Sequence, residues 1–283
     1  MGYDMESIPQ EDRRRPRLKQ LSGKVAIVTG ARRGIGEGAA RLLAERGAQV
    51  LAVDVADAPH EAAEKNRKAG PSVTALRMDV TRSDEVNRSV QAILSKFGRI
   101  DILVNNAGIY PRSDLVHMSD EFMRRMFDVN VFGMFRCARA VLPAMMKQRY
   151  GKIVNVSSVT GPFVADASGG QTAYAATKAA VWGFTVALAL EVAQYGINVN
   201  CICPGHIDTP GGREQTSDPE YPDKEVEALG RTVPMGRLGT PQEVGELVAF
   251  LVSDDSRYLT GTRIVIDGGN TLQETYRGPY SPR

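Results

Sequence analysis

The sequence predicts an α/β fold, a doubly wound parallel sheet with helices on both faces, and three observations predict it. Short runs rich in Val, Ile and Leu recur without polar alternation, as strands buried on both faces do. Helical stretches separate these runs along nearly the whole chain. A glycine-rich turn joins the first run to the first helix.

The elements follow in order. Val25–Thr29 is a β-branched run, and Ile35–Arg46 is helical, with Gly47 as its stop. Gln49–Asp54 is a second strand ending in an acid. Residues 57–69 read as a polar helix and Val73–Met78 as a strand. Ser83 is the expected cap of a helix to Phe97, and Ile100–Val104 is a strand. Ser119 is the expected cap of a long helix reaching about Lys147. Lys152–Ser157 is a strand, Thr172–Gln194 a helix, Asn198–Ile202 a strand, Pro241–Leu251 a helix and Arg263–Ile266 the last strand.

No linker divides residues 21–270, so one domain is expected there. A basic extension precedes it (residues 1–20), expected to be mobile, and a tail follows (271–283). Residues 205–234, rich in Gly, Pro and charge, follow a strand end, where open α/β sheets place ligands. This stretch is the expected substrate loop and lid.

Composition excludes several classes of function. The 283 residues are 42% hydrophobic, enough for a large core. The 35 basic and 33 acidic residues leave a net charge of +2, which argues against nucleic acid or an anionic membrane as partner. The longest strongly apolar run, Val181–Leu190, is 10 residues. A span needs about 20, so no membrane segment is expected. Cys137, Cys201 and Cys203 lie in apolar stretches without a Cys/His cluster, so buried thiols are expected and no metal site. Their sparse, odd number fits a reducing, cytoplasmic setting.

The turn Thr29-Gly30-Ala31-Arg32-Arg33-Gly34-Ile35-Gly36 carries the first chemistry. Gly30 allows a tight turn, Gly34 lets backbone approach a pyrophosphate, and Gly36 lets helix pack on strand. The helix N-terminus offers N–H groups and a positive dipole to phosphates. About 20 residues on, Asp54 ends the second strand, where a carboxylate binds the ribose hydroxyls of NAD and repels the 2′-phosphate of NADP. Asp54 therefore favours NAD. Arg33 keeps NADP open, since it could pair with that phosphate, stack on adenine or pair with Asp54.

With further motifs in order, the sequence resembles the short-chain dehydrogenase/reductases over about residues 21–270. The motifs are Asp79-Val80, Asn105-Asn106-Ala107-Gly108, Asn130, Ser157-Ser158, Tyr174-Ala-Ala-Thr-Lys178, Pro204-Gly205 with Thr209, and Asp267-Gly268-Gly269. Within the family it is similar to the UcpA-like oxidoreductases, around Gly161, Val164-Ala165-Asp166 and Thr271–Thr275. The resemblance implies a Rossmann-type fold and a cofactor site of Gly30, Arg32, Arg33, Gly34, Ile35, Gly36 and Asp54. To these it adds Asp79 and Val80 at the adenine, and Asn106, Ala107 and Gly108 on the ribose side. Pro204, Gly205, Ile207 and Thr209 are implied at the nicotinamide. It also implies a homo-oligomer, usually a tetramer, built on the helices 119–147 and 172–194. The spacing from Ser158 to Tyr174 exceeds that of many relatives, which enlarges the loop Pro162–Gly170.

The expected catalytic set is Asn130, Ser158, Tyr174 and Lys178. Tyr174 and Lys178 are i,i+4 and share a helix face. A tyrosine with a pKa of about 10 is a poor base at neutral pH, and a nearby ammonium is expected to lower it. The phenol then exchanges a proton with a substrate oxygen, Ser158 holds that oxygen, and Lys178 also holds the nicotinamide ribose. By resemblance, Asn130 keeps a relay water beside the lysine. His60, His117 and His206 form no site by spacing, although His206 lies in the substrate loop. The expectation is an NAD-dependent oxidoreductase acting on a secondary alcohol or ketone, a small-molecule partner. An NADP-dependent carbonyl reductase and a non-catalytic dinucleotide-binding regulator are the alternatives.

Overall fold

The structure, a computed structural model, describes residues 20–56, 72–165, 169–214 and 222–273. The expected extension up to residue 19, the polar helix 57–69 with His60, and the tail beyond residue 273 lie outside the described residues.

Seven strands form one all-parallel sheet: β1 (Val25–Thr29), β2 (Gln49–Asp54), β3 (Val73–Arg77), β4 (Ile102–Asn105), β5 (Gly151–Val156), β6 (Ile197–Pro204) and β7 (Arg263–Ile266). Their order is β3-β2-β1-β4-β5-β6-β7. The chain winds outward from β1 to β3, then crosses back to β4 and winds the other way. That reversal leaves a crevice at the C-terminal ends of β1 and β4, where such sheets bind ligands.

Alternation of side chains sorts each strand between two cores. Ala26, Val28, Val50, Ala52, Ile102, Val104 and Val154 pack with Leu42 and Leu43 of α1 (Gly34–Glu45). Val244, Val248 and Leu251 of the last helix, Pro241–Val252, complete that layer. Val25, Ile27, Leu51, Val53, Leu103, Ile153 and Val199 face the other way. They meet Val86, Val90 and Ile93 of α2 (Ser83–Phe97), along with helices from the middle of the chain. Every residue of β1, β4 and β5 is buried, which accounts for their mostly apolar runs, broken in β5 by Lys152 and Asn155.

Three elements differ from expectation. Ser83 begins α2 as its first helical residue; the capping position is Arg82, which makes no side-chain cap. Ser119 does cap, accepting from Phe122 N at 3.1 Å. The long helix that it starts is interrupted, however: α3 (Asp120–Phe127), a π turn (Asp128–Phe132) and α4 (Gly133–Gln148). A π turn inserts an extra residue, and such bulges concentrate at functional sites. The third difference lies in residues 205–234, which contain α6 (Pro210–Arg213) and α7 (Pro222–Thr232). Thr209 caps α6 by accepting from Gly212 N at 3.1 Å, with Pro210 pre-set at the first helical position. The last helix is α8, and Thr240 and Glu243 close a capping box on it.

The helix α5 (Thr172–Val192) lies against β5 and β6. Ala173, Thr177, Val181, Thr185, Leu188 and Val192, at three- and four-residue steps, turn toward the protein. With its short 3₁₀ extension to Tyr195 it is the one helix among the described residues long and apolar enough to cross a membrane by length and composition, a property its longest apolar run did not reveal. Its inward face is part of the sheet's core.

A buried polar ladder crosses that core. Asn105 Nδ2 donates to Asn155 Oδ1 at 2.9 Å, Asn155 Nδ2 to Thr185 Oγ1 at 3.0 Å, and Thr185 Oγ1 to Val181 O at 2.8 Å. It links β4, β5 and α5. The three cysteines are free and buried, and no cluster of metal-ligating side chains occurs among the described residues.

Candidate active site

The glycine turn is built by contact with the next strand end. Gly30 has φ +64°, and a Cβ there would stand 2.8 Å from Ala107 Cα. A Cβ on Gly36 would run into Gly30 O and the Asn106 amide. Asn106 Nδ2 donates to Thr29 O at 2.9 Å and Gly30 O at 3.0 Å. Thr29 Oγ1 accepts from Asn106 N and Ala107 N, both at 3.1 Å. The turn after β1 and the turn after β4 are thereby bolted together, and the Asn106 amide group serves that joint.

No side chain caps the start of α1, where Arg33 is the capping residue. Its first-turn N–H groups are therefore left for an anion. Asp54 Oδ2 accepts from Arg32 N at 3.3 Å, which draws the end of β2 to the same turn. These features fit the pyrophosphate and ribose of a dinucleotide. Asp79 caps its own turn, with Oδ1 accepting from Thr81 N and Thr81 Oγ1 at 2.8 Å. Val80 packs where a Cβ on Gly133 would stand 2.8 Å from Val80 Cγ2.

Ser158, Tyr174, Lys178 and Asn130 come together beside this turn. Lys178 is 6% exposed and donates to Val156 O at 2.9 Å. Its Nζ lies 5.6 Å from the Tyr174 ring centre. Tyr174 hydrogen-bonds with Ser158, and Ser158 Oγ also accepts from Thr160 N at 3.1 Å. The π turn aims Asn130 inward: Oδ1 accepts from Ile109 N and Nδ2 donates to Ile109 O, both at 2.8 Å, and Nδ2 reaches Thr177 Oγ1 at 3.1 Å. A Cβ on Gly108 would be 3.4 Å from Asn130 Oδ1 and 3.7 Å from Lys178 Nζ, ordinary contact distances that place both side chains beside the turn after β4.

The electrostatics correct one expectation. Burial pushes the Tyr174 phenol up to about 12, only partly offset by Ser158. Burial also pulls Lys178 down to about 8. Desolvation thus dominates the phenol, and the expected lowering by the Lys178 ammonium does not bring it below its ordinary value. Tyr174 holds its proton at neutral pH.

The loop that follows β6 joins the two halves of the site. Ile207 pairs with Gly239 as a short bridge, and Gly205 N donates to Ile266 O at 3.0 Å. A Cβ on Gly34 would be 3.4 Å from Thr209. His206 is exposed on this loop, and His117 lies in a 3₁₀ turn after β4. Two residues of the site were not read from the sequence. Tyr110, two positions beyond the Asn-Asn-Ala-Gly turn, stands edge-on to Tyr174 at 6.4 Å and under Gly211. Glu214 forms a two-pronged ion pair with Arg33, with Nη2 to Oε2 at 2.8 Å. An aromatic just past a strand-end turn was a signal for the first. For the second there was none.

Comparison with known proteins agrees with this architecture. A family model described as enoyl-(acyl carrier protein) reductase matches residues 30–271. Oxidoreductase UcpA of Escherichia coli K12 is 46% identical over 260 residues, 91% of this chain and 98% of that protein. The 3-oxoacyl-[acyl-carrier-protein] reductase FabG of Thermotoga maritima is 41% identical over 251 residues, 88% of this chain and 98% of its own. Ligand-free aldohexose dehydrogenase of Thermoplasma acidophilum superposes with a TM-score of 0.83 at 34% identity, covering 93% of this chain and all of that one. With a family match over residues 30–271, relatives similar along about nine-tenths of the chain and a superposition over 93% of it, the chain belongs to the short-chain dehydrogenase/reductases and is an oxidoreductase of that NAD(P)-binding family.

Proposed function

We propose that the protein interconverts a secondary alcohol and a ketone, with NAD as the preferred partner and Tyr174 as the acid/base. The observation that carries this reading is the Ser158–Tyr174–Lys178 cluster at the mouth of the glycine turn. A bound nicotinamide would supply hydride acceptance or donation. The chain's own residues would do the rest. Gly30, Gly34, Ile35 and Gly36, with Arg32 and Arg33, would cradle the pyrophosphate, and Asp54 the adenosine ribose. Asp79, Val80, Asn106, Ala107 and Gly108 would flank the adenosine, and Pro204, Gly205, Ile207 and Thr209 the nicotinamide. Ser158 would orient the substrate oxygen.

Tyr174, protonated in the resting site, would give its proton to a carbonyl oxygen as that oxygen gains negative charge. In the reverse direction it would take the alcohol's proton. Lys178 would hold the phenol's surroundings positive, and Asn130 would keep Ile109 and α5 in place around it. The names of an aldohexose dehydrogenase and a 3-oxoacyl reductase both describe carbon–oxygen hydride exchange, which supports that substrate class. Apolar Phe132 at the end of the π turn, Phe135 on α4 and Leu190 on α5 are exposed, which supports a homo-oligomer built on these helices.

The test is a panel of secondary alcohols and ketones assayed by nicotinamide absorbance with NAD(H) and NADP(H). Turnover of at least one pair, abolished in Tyr174→Phe, is expected. Nucleotide binding without turnover of any panel member would favour a non-catalytic binder.

A further inference from the structure

Arg33 is the residue that leaves the choice of nucleotide open from sequence, and the structure gives it a partner. Arg33 reaches across from the phosphate turn to Glu214, at the end of α6, and is held by both prongs of the carboxylate. The backbone of Glu214 is tied to the turn of α6. Its own N–H donates to Pro210 O at 3.0 Å, and Thr209 caps the same turn. Arg213 next to it is held by both oxygens of Asp208, at 2.7 and 2.9 Å. The carboxylate is also within the field of Arg32, while Asp54 sits on Arg32 N at 3.3 Å. Around the rim of the cleft, the formal charges of Arg32, Arg33, Asp54 and Glu214 cancel.

We propose that Glu214 is a determinant of nucleotide choice: by pairing with Arg33 it withdraws the positive charge that a 2′-phosphate needs, and so turns the cleft toward NAD. A 2′-phosphate must be matched by a cation close by, because it carries nearly two negative charges and faces Asp54. To recruit Arg33 it has to displace Glu214 and leave that carboxylate beside the new anion. NAD makes no such demand, since its ribose hydroxyls are met by Asp54. The pair is solvent-exposed, with 40% and 59% of the two side chains accessible, so its effect is modest and sensitive to salt.

This inference rests on the dinucleotide reading of the cleft, and calorimetric titration with NADH and NADPH separates the two. The proteins are wild type, Glu214→Gln and the double variant Glu214→Gln/Arg33→Ala. Glutamine keeps the shape of the side chain and removes its charge. Glu214→Gln is expected to tighten NADPH about three-fold, and by no more than about five-fold, with NADH changed less than two-fold. The gain should shrink at high salt and vanish in the double variant. Equal effects on both nucleotides, an unchanged ratio, or a gain that survives loss of Arg33 would each overturn the inference alone. Failure of the wild type to bind either nucleotide would overturn the dinucleotide reading, and the inference with it.

Discussion

Replacing Lys178 by Met should change how stability depends on pH, in a direction and approximate size that follow from the burial of this lysine. Lys178 is 6% exposed, and burial lowers its proton affinity from the ordinary 10.5 to about 8. The folded protein therefore gives up this proton at lower pH than the unfolded chain does. Between pH 8 and 10.5 the unfolded chain binds more protons, so stability rises with pH. Below pH 8 the group imposes a constant penalty for keeping a buried ammonium. Each tenfold difference in proton affinity corresponds to about 1.4 kcal/mol, so the whole penalty is about 3 kcal/mol, of which roughly 2 kcal/mol disappears between pH 7 and 10. Methionine has similar length and no charge. Its cost is the lost donor to Val156 O, about 1 kcal/mol and independent of pH. Urea unfolding of both proteins, at one protomer concentration and several pH values from 7 to 10, gives the difference in stability. Wild type should gain on Lys178→Met by about 2 kcal/mol across that range, other titrations cancelling in the difference. A flat or falling difference would refute the idea that desolvation governs this lysine. No substrate is needed.

Other expectations are equally direct. Tyr174→Phe should lower kcat at least about 100-fold, with nucleotide affinity within about two-fold, since general acid–base catalysis supplies about 10²–10⁴; steady-state rates and calorimetry check this. Gly36→Ala should abolish nucleotide binding and lower the melting temperature, because its methyl group meets Gly30 O and the Asn106 amide. Asn130→Leu should destabilise the fold by about 1–3 kcal/mol by leaving Ile109 N and O without partners, measured by denaturant titration. Phe135→Glu, which puts a charge on the exposed face of α4 beside Phe184, should shift sedimentation toward smaller species if that face joins subunits.

Where the residues alone determined local structure, the sequence was readable. Val25–Thr29, Gln49–Asp54 and Arg263–Ile266 are strands over the expected residues, because each is a short β-branched apolar run whose limits are marked by a polar residue, Thr29, Gln49, Asp54 or Arg263. Ser83 misled because an uncapped start at Arg82 looks the same as a serine cap shifted by one residue. The two helices within 205–234 were hidden by composition, since Pro210 and Pro222 start helices there where proline suggests a loop. The π turn at Asn130 depends on tertiary contacts with Ile109 and Thr177, which no local pattern records. Tyr174 and Lys178 were legible from their spacing, but the shift in the phenol's affinity was not, because depth of burial is a property of the assembled site. Glu214 lies 181 positions from Arg33 and looks like any surface acid until the chain folds.

The ladder from Asn105 through Asn155 to Thr185 has a consequence for how such a protein can change. Greasy surfaces slide past one another by a fraction of an ångström at little cost, whereas a row of amide and hydroxyl contacts tolerates almost no slip. The ladder therefore acts as an index pin beneath α5, setting that helix's rotation and height from below. Lys178 and Tyr174 stand on the same helix, about two and three turns toward its N-terminus from Thr185. A change in the loop 205–214 therefore leaves the seating of α5 on β4 and β5 in place.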